Sequence, residues 1–179
     1  MPCSTVYPSP RAERGGLWKD DVLKLVIGNK NYSSWSLRAW LLLRHVEIEF
    51  REEKISLFID GFGPKIRRFS PAARVPVLVD DGFAVWDSLA IAEYVAERFP
   101  DRGVWPLETG ARARARSVCA EMHSGFDALR EHMPMNIEAH LPGRGNGPAV
   151  QKNLDRIVAI WNELLEAHSS SGPFPRPGR

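Results

Sequence analysis

Leu23-Lys24-Leu25-Val26-Ile27 is apolar at four of five positions, on both faces of an extended chain. That pattern predicts a central strand. A helix is predicted from about Ser34 to His45, with Trp40, Leu41 and Leu43 among its apolar positions. Phe50-Arg51-Glu52-Glu53-Lys54-Ile55 reads as a second strand, polar enough to lie near a sheet edge. Leu57 to Phe69 is irregular and helical, interrupted by Gly61, Gly63 and Pro64. A short β-branched strand, Val75 to Val79, runs into the turn Asp80-Asp81-Gly82 and returns as Phe83-Ala84-Val85-Trp86. Asp87-Ser88 is a helix start signal before Leu89 to Val95, and Pro100 to Gly110 reads as a linker. Beyond it, Val118, Met122, Phe126, Leu129 and Met133 recur at helical spacing and predict one long helix. Pro142 to Pro148 ends that pattern, and Val150, Leu154, Ile157, Trp161 and Leu164 predict a second helix. Residues 1–21 and 169–179 have no period and are expected to be disordered.

The order is therefore βαβαββα followed by helices. The predicted fold is α/β plus all-α: a mixed four-stranded sheet domain over 22–101 and a helical domain over 110–168. The 179 residues carry 24 basic and 22 acidic side chains, a net charge of +2, which argues against a nucleic-acid or membrane partner. No apolar run is long enough to span a bilayer, and the first 21 residues lack the apolar segment of a secretory signal. Cys3 and Cys119 alone make no disulfide framework, so a cytoplasmic setting is expected. His123, His132, His140 and His168 fall into no metal-ligand spacing, and no metal is expected. Gly28 stands outside any nucleotide-binding fingerprint. Arg112, Arg114 and Arg116 alternate around a helix start and read as a solvated face.

Two places carry candidate chemistry. A proline near a strand start marks an edge, a bulge or a cis bond, so Val75-Pro76 presents bent main chain. Beside it, the helix opened by Asp87-Ser88 offers free N–H groups to a small peptide-like anion. Upstream, Ser33, Ser34 and Ser36 lie where a strand passes through a loop into a helix. By itself a serine there is a helix cap. Arg38, one turn further, reads equally as a functional cation or a surface charge.

The succession of Val75-Pro76-Val77-Leu78, Asp81-Gly82 and Asp87-Ser88-Leu89-Ala90-Ile91-Ala92-Glu93-Tyr94 resembles the glutathione-binding half of the glutathione S-transferase family. Ser33-Ser34-Trp35-Ser36-Leu37-Arg38 resembles the S-S-C-x-x-R segment of the zeta-type and related serine transferases, with Trp35 in place of cysteine. The resemblance implies a thioredoxin-like first domain and glutathione as co-substrate. It implies that Ser33 activates the glutathione thiol, with Ser34 beside it as second serine or helix cap. It implies that Val75, before a cis Pro76, pairs with the peptide main chain of glutathione. Ser88 would receive the γ-glutamyl carboxylate, Asp87 the γ-glutamyl ammonium, and Arg74 the glycyl carboxylate. A small hydrophobic electrophile, a homodimer and a detoxifying role follow from the same resemblance. Relatives of this kind continue for several helices past the segment matching Ser171-Gly172-Pro173-Phe174. Here Pro175-Arg176-Pro177-Gly178-Arg179 follows, so a partial helical domain is expected, leaving Val118, Met122, Leu154 and Trp161 partly uncovered. That shortening keeps a second expectation in play: a glutathione-binding or protein-interaction module without turnover.

Overall fold

The computed structural model describes residues 22–57 and 61–167. The expected extensions at 1–21 and 169–179, Cys3, His168, and residues 58–60 of the irregular stretch lie outside the described residues. Four strands, β1 (Leu23–Ile27), β2 (Phe50–Lys54), β3 (Val77–Asp80) and β4 (Phe83–Trp86), form one sheet in the order β2-β1-β3-β4. β1 runs parallel to β2 and antiparallel to β3, and β3 is antiparallel to β4. The apolar β1 is interior and the polar β2 is at an edge, as the pattern of side chains demands. This is the thioredoxin-like layout.

Helices α1 (Ser34–His45) and α3 (Ser88–Arg98) cover one face of the sheet, and α2 (Phe62–Arg67) covers the other. The side chains of β1 divide accordingly. Leu23, Leu25 and Ile27 pack with Ala39, Leu43, Ile91 and Val95, while Val26 packs with Ile55, Ile66 and Val77. Truncating a fully buried member such as Leu25 or Leu43 to alanine should cost about 2–5 kcal/mol. At the β3–β4 turn Asp81 and Gly82 both have positive φ, 45° and 79°, the demand of a two-residue hairpin turn that an Asp-Gly pair meets. β3 starts two residues later than expected, at Val77, leaving Val75 and Pro76 ahead of the ladder. Gly63 and Pro64 do not interrupt α2; they lie in its first turn, where a missing N–H is harmless.

Past the short 3-10 turn Pro100–Arg102, the helical half holds α4 (Thr109–Ser124), α5 (Asp127–His132) and α6 (Pro148–Ala167). The single long helix expected through Met133 is two helices. A Cβ on Gly125 would stand 2.9 Å from the Glu121 carbonyl, so the chain closes there as only glycine can. Phe126 follows with φ 67°, turns inward and is buried. No side chain of its own caps α5; instead Asn153 of α6 accepts from the Leu129 N–H at 3.1 Å.

On α6 the buried residues are Val150 and Ile160, while Leu154 is half-buried and Trp161 is 56% exposed, so both are partly uncovered as expected. One residue turns a helix by about 100°, which moves Trp161 away from the packed face. Trp161, Val158 and Leu165 form an exposed apolar stripe. The arginines of α4 lie on a solvated face, as expected, and also make surface contacts. Arg116 pairs with Glu93 of α3 through two bonds of 2.8 and 2.7 Å, and Arg112 donates to the carbonyls of Pro106 and Leu107. Among the described residues, no helix is long and apolar enough to cross a membrane.

Candidate functional site

Strand register gathers the candidate residues at one end of the sheet. Val26, next to last in β1, pairs with Val77, the first residue of β3, and Val77 pairs with Trp86, the last of β4. The exit of β1 toward α1, the entry of β3 and the exit of β4 into α3 are therefore neighbours. The Val75–Pro76 peptide is cis, as the resemblance implied. Val75 lies beyond the last ladder pair, so its main chain is not consumed by the sheet.

Ser33 caps α1, and Ser34 is the first helical residue; Ser34 as the cap is corrected by this geometry. The Ser33 hydroxyl accepts from the Ser36 N–H at 3.3 Å and lies 2.9 Å from the Ser36 hydroxyl, to which it donates. Ser36 Oγ in turn accepts from the Gly28 N–H at 3.0 Å, tying the β1 exit to the first turn of α1. Ser33 is buried, whereas Ser34 is half-buried and its hydroxyl has no partner among the described residues. A hydroxyl proton rotates freely. If Ser36 O–H turns toward Ser33 Oγ, the Ser33 proton is released toward an incoming group without the loss of a bond.

At the other helix start, Asp87 is the cap of α3 and holds φ 78°, ψ 135°, an unusual backbone for a residue with a Cβ. Its Oδ1 accepts from the Leu89 N–H at 2.8 Å. Ser88, the first helical residue, is 6% exposed, and its hydroxyl is buried with no hydrogen-bond partner. A buried hydroxyl left unpaired costs about 1–3 kcal/mol, which makes it a place where a ligand can supply the partner. Arg74 is exposed and unpaired among the described residues, just ahead of the cis peptide.

Trp35 is the centre of a cluster that joins the two halves. The Arg38 guanidinium stacks over its ring at 4.2 Å, the Arg130 guanidinium at 4.9 Å, and the His123 ring meets it edge-on at 4.9 Å and 77°. Arg38 and Arg130 both donate to the Met122 carbonyl. Arg38 has no carboxylate within ion-pair distance among the described residues. Burial, then the repulsion of Arg130, hold its guanidinium below its ordinary range. Burial pushes the Cys119 thiol up, against the pull of Arg38, so Cys119 is not an activated nucleophile. His123 Nε2 lies 3.2 Å from Asp87 Oδ2.

A strap after α5 closes the near side. The buried Asn31 donates to Asn136 Oδ1 at 3.0 Å and to Glu138 Oε2 at 3.3 Å, and accepts from the Glu138 N–H at 3.0 Å. His123, Arg130, Asn31 and Asn136 were not distinguished by sequence pattern. Their places come from contacts between distant parts of the chain: His123 and Arg130 meet Trp35, and Asn31 meets Asn136.

Two concavities open at the ends of the sheet. A cleft of about 250 Å³, lined by Asn29, Tyr32, Lys54, Ile55, Ser56 and Leu57, lies at the same end of the sheet as Ser33. A larger one, about 580 Å³, is lined by Val22, Arg44, Glu47, Ile48, Glu49 and Phe50 at the opposite end. Neither lining includes Ser33, Val75, Asp87 or Ser88, so it is strand register and the two helix starts, not a concavity, that bring the candidate residues together.

Comparison with known proteins points the same way. Residues 32–98 match the family described as glutathione S-transferase, N-terminal domain. A probable maleylacetoacetate isomerase of Caenorhabditis elegans is 35% identical over 137 residues, covering 76% of this chain and 63% of that protein. The maleylacetoacetate isomerase of Rattus norvegicus is 32% identical over 144 residues, covering 79% and 63%. The chain thus spans less than two thirds of the length of these curated relatives. Among solved structures, a glutathione transferase homologue from Burkholderia gl BGR1 with bound glutathione superposes with a TM-score of 0.60. It shares 26% identity and covers 79% of this chain and 67% of that one.

Proposed function

The chain belongs to the glutathione S-transferase family, and on that premise we propose that it binds glutathione, ionises its thiol with a serine hydroxyl and transfers the sulfur to a small hydrophobic electrophile. The observation that carries the reading is the unpaired, buried Ser88 hydroxyl at the start of α3, beside the cis peptide and the unladdered Val75. Ser88 and the first N–H groups of α3 suit the γ-glutamyl carboxylate, Asp87 the ammonium, and the Val75 main chain the cysteinyl unit. Arg74, exposed and unpaired among the described residues, suits the glycyl carboxylate.

The sulfur then falls at the start of α1, where Ser33 and Ser34 stand. A free thiol near pKa 8.5 is only a few per cent ionised at neutral pH. A hydrogen bond to the charged sulfur supplies about 1.5–3 kcal/mol, and the helix terminus about 0.3–1 kcal/mol. Together these lower the thiol by roughly 1.3–3 units, which raises the thiolate from a few per cent to about 40% or more at pH 7. The thiol proton leaves to solvent, and the thiolate forms the new bond to the electrophilic carbon as that carbon either loses its leaving group with the bonding pair or opens its double bond, the displaced pair then taking a proton from solvent. Ser33 is the donor we favour because Ser36 can replace it in the internal bond; Ser34 is the second. A cytoplasmic homodimer with a detoxifying role belongs to the same proposal.

One observation supports a glutathione-binding module without turnover: the Ser33 hydroxyl already both accepts and donates within the protein. Titration calorimetry with glutathione, followed by conjugation assays over a panel of electrophiles, separates the readings. Binding with turnover supports the enzyme. Binding with no product from any electrophile supports the module. No binding removes both.

A further inference from the structure

We infer that His123, contributed by α4, is a positioning residue that aims the Asp87 carboxylate at the ammonium of the γ-glutamyl group, so that glutathione is selected over analogues lacking that amine. The inference rests on the reading of Asp87 given above.

Asp87 is held by its backbone in a left-handed conformation and by the Leu89 N–H on Oδ1. One bond leaves the carboxylate free to tilt, and its side chain is 42% exposed. The second oxygen, Oδ2, is met at 3.2 Å by His123 Nε2. With Nε2 against a carboxylate oxygen, the ring proton belongs on Nε2, which donates. Nδ1 is buried and has no hydrogen-bond partner, so the ring is oriented by packing on Trp35 and by its bond to Asp87 alone. His123 itself is anchored, because the neighbouring Met122 carbonyl receives both Arg38 and Arg130.

The charges around Asp87 give the arrangement a purpose. Arg38 of α1 is close enough for Asp87 to raise its affinity for the proton, and Arg130 of α5 faces the same tryptophan. A carboxylate released from His123 can swing to Arg38 and form an ion pair. Its charge is then spent within the protein, and a ligand ammonium finds none. His123 holds Asp87 at the start of α3, where its side chain stays 42% exposed and open to a ligand.

The test compares glutathione with its deamino analogue, glutaryl-cysteinyl-glycine, by titration calorimetry and steady-state kinetics. His123→Ala should weaken glutathione about tenfold, equivalent to about 1.4 kcal/mol. It should raise KM for glutathione in step, change kcat by less than about threefold and leave the affinity for the deamino analogue unchanged. His123→Gln, whose amide can donate to Oδ2, should recover most of the loss. Equal weakening of both ligands, or no effect on glutathione while Asp87→Ala weakens it, overturns the inference. If Asp87→Ala leaves the preference for glutathione over the analogue intact, the reading of Asp87 fails first and the inference falls with it.

Discussion

Ser33 has two tasks at one oxygen: it closes the first turn of α1 and, in the proposed reaction, faces a sulfur. Ser33→Ala should reduce turnover by about two orders of magnitude, the scale for losing one preorganised donor, with glutathione affinity nearly unchanged. It should also lower stability by about 1 kcal/mol through the lost cap. Ser36→Ala separates the tasks. It leaves the Gly28 N–H unpaired in a buried place, for about 1–3 kcal/mol of stability, while Ser33 keeps its hydroxyl. If Ser34→Ala is the inactive variant and Ser33→Ala conjugates normally, the donor is Ser34. Away from the site, burial and then Asp80 push the Tyr94 phenol up to about 12 from 10.0. The folded protein therefore keeps that proton after the unfolded chain has released it. The stabilisation is complete below pH 10 and is lost as pH rises from 10 to about 12. Urea midpoints of the wild-type protein should fall more steeply over that window than those of Tyr94→Phe; parallel curves would remove Tyr94 as the cause.

The start of α5 shows why one helix was read where two exist. Apolar spacing from Val118 to Leu129 continues across the break, because Phe126 turns inward through a left-handed residue instead of a continuous helix. Gly125 is the one local mark of the break, and Phe126 itself carries none. The replacement cap, Asn153, comes from α6, so the break is a property of tertiary packing. Asn153→Ala should cost about 1 kcal/mol and speed amide exchange over Asp127–His132 without affecting β1. Ile160 and Trp161 are both apolar, and only the neighbours of α6 decide that Ile160 is the one that faces inward. The elements that depend on local chemistry were legible. Ser33 and Asp87 stand at helix starts and Asp81-Gly82 at the turn, each named from residue type before any contact was known.

At the scale of the molecule, burial is uneven. Both faces of β1 are sealed, whereas α4 has no fully buried residue and α6 has two. Amides of Leu23–Ile27 and Ser88–Arg98 should therefore exchange more slowly than those of Thr109–Ser124 and Pro148–Ala167. The stripe of Val158, Trp161 and Leu165 should bind a hydrophobic dye, and Trp161→Gln should reduce that binding without lowering the melting temperature. Equal exchange in both halves and no dye signal would mean that the helical half closes its own core. Of the site, the convergence at the sheet end could be read from motif order, because β-strand register follows from side-chain alternation. The cluster around Trp35 could not, because its members meet only when α4 and α5 dock. That docking has a consequence for how the protein is made. At about 5–20 residues per second, a ribosome delivers Trp35 roughly 5–20 s before Arg130. During that interval the sheet can form while a large indole at its end waits without His123 or either helix that shields it. A nascent chain paused before α4 is thus the state in which a chaperone would find Trp35, and the emergence of α4 and α5 is what releases it.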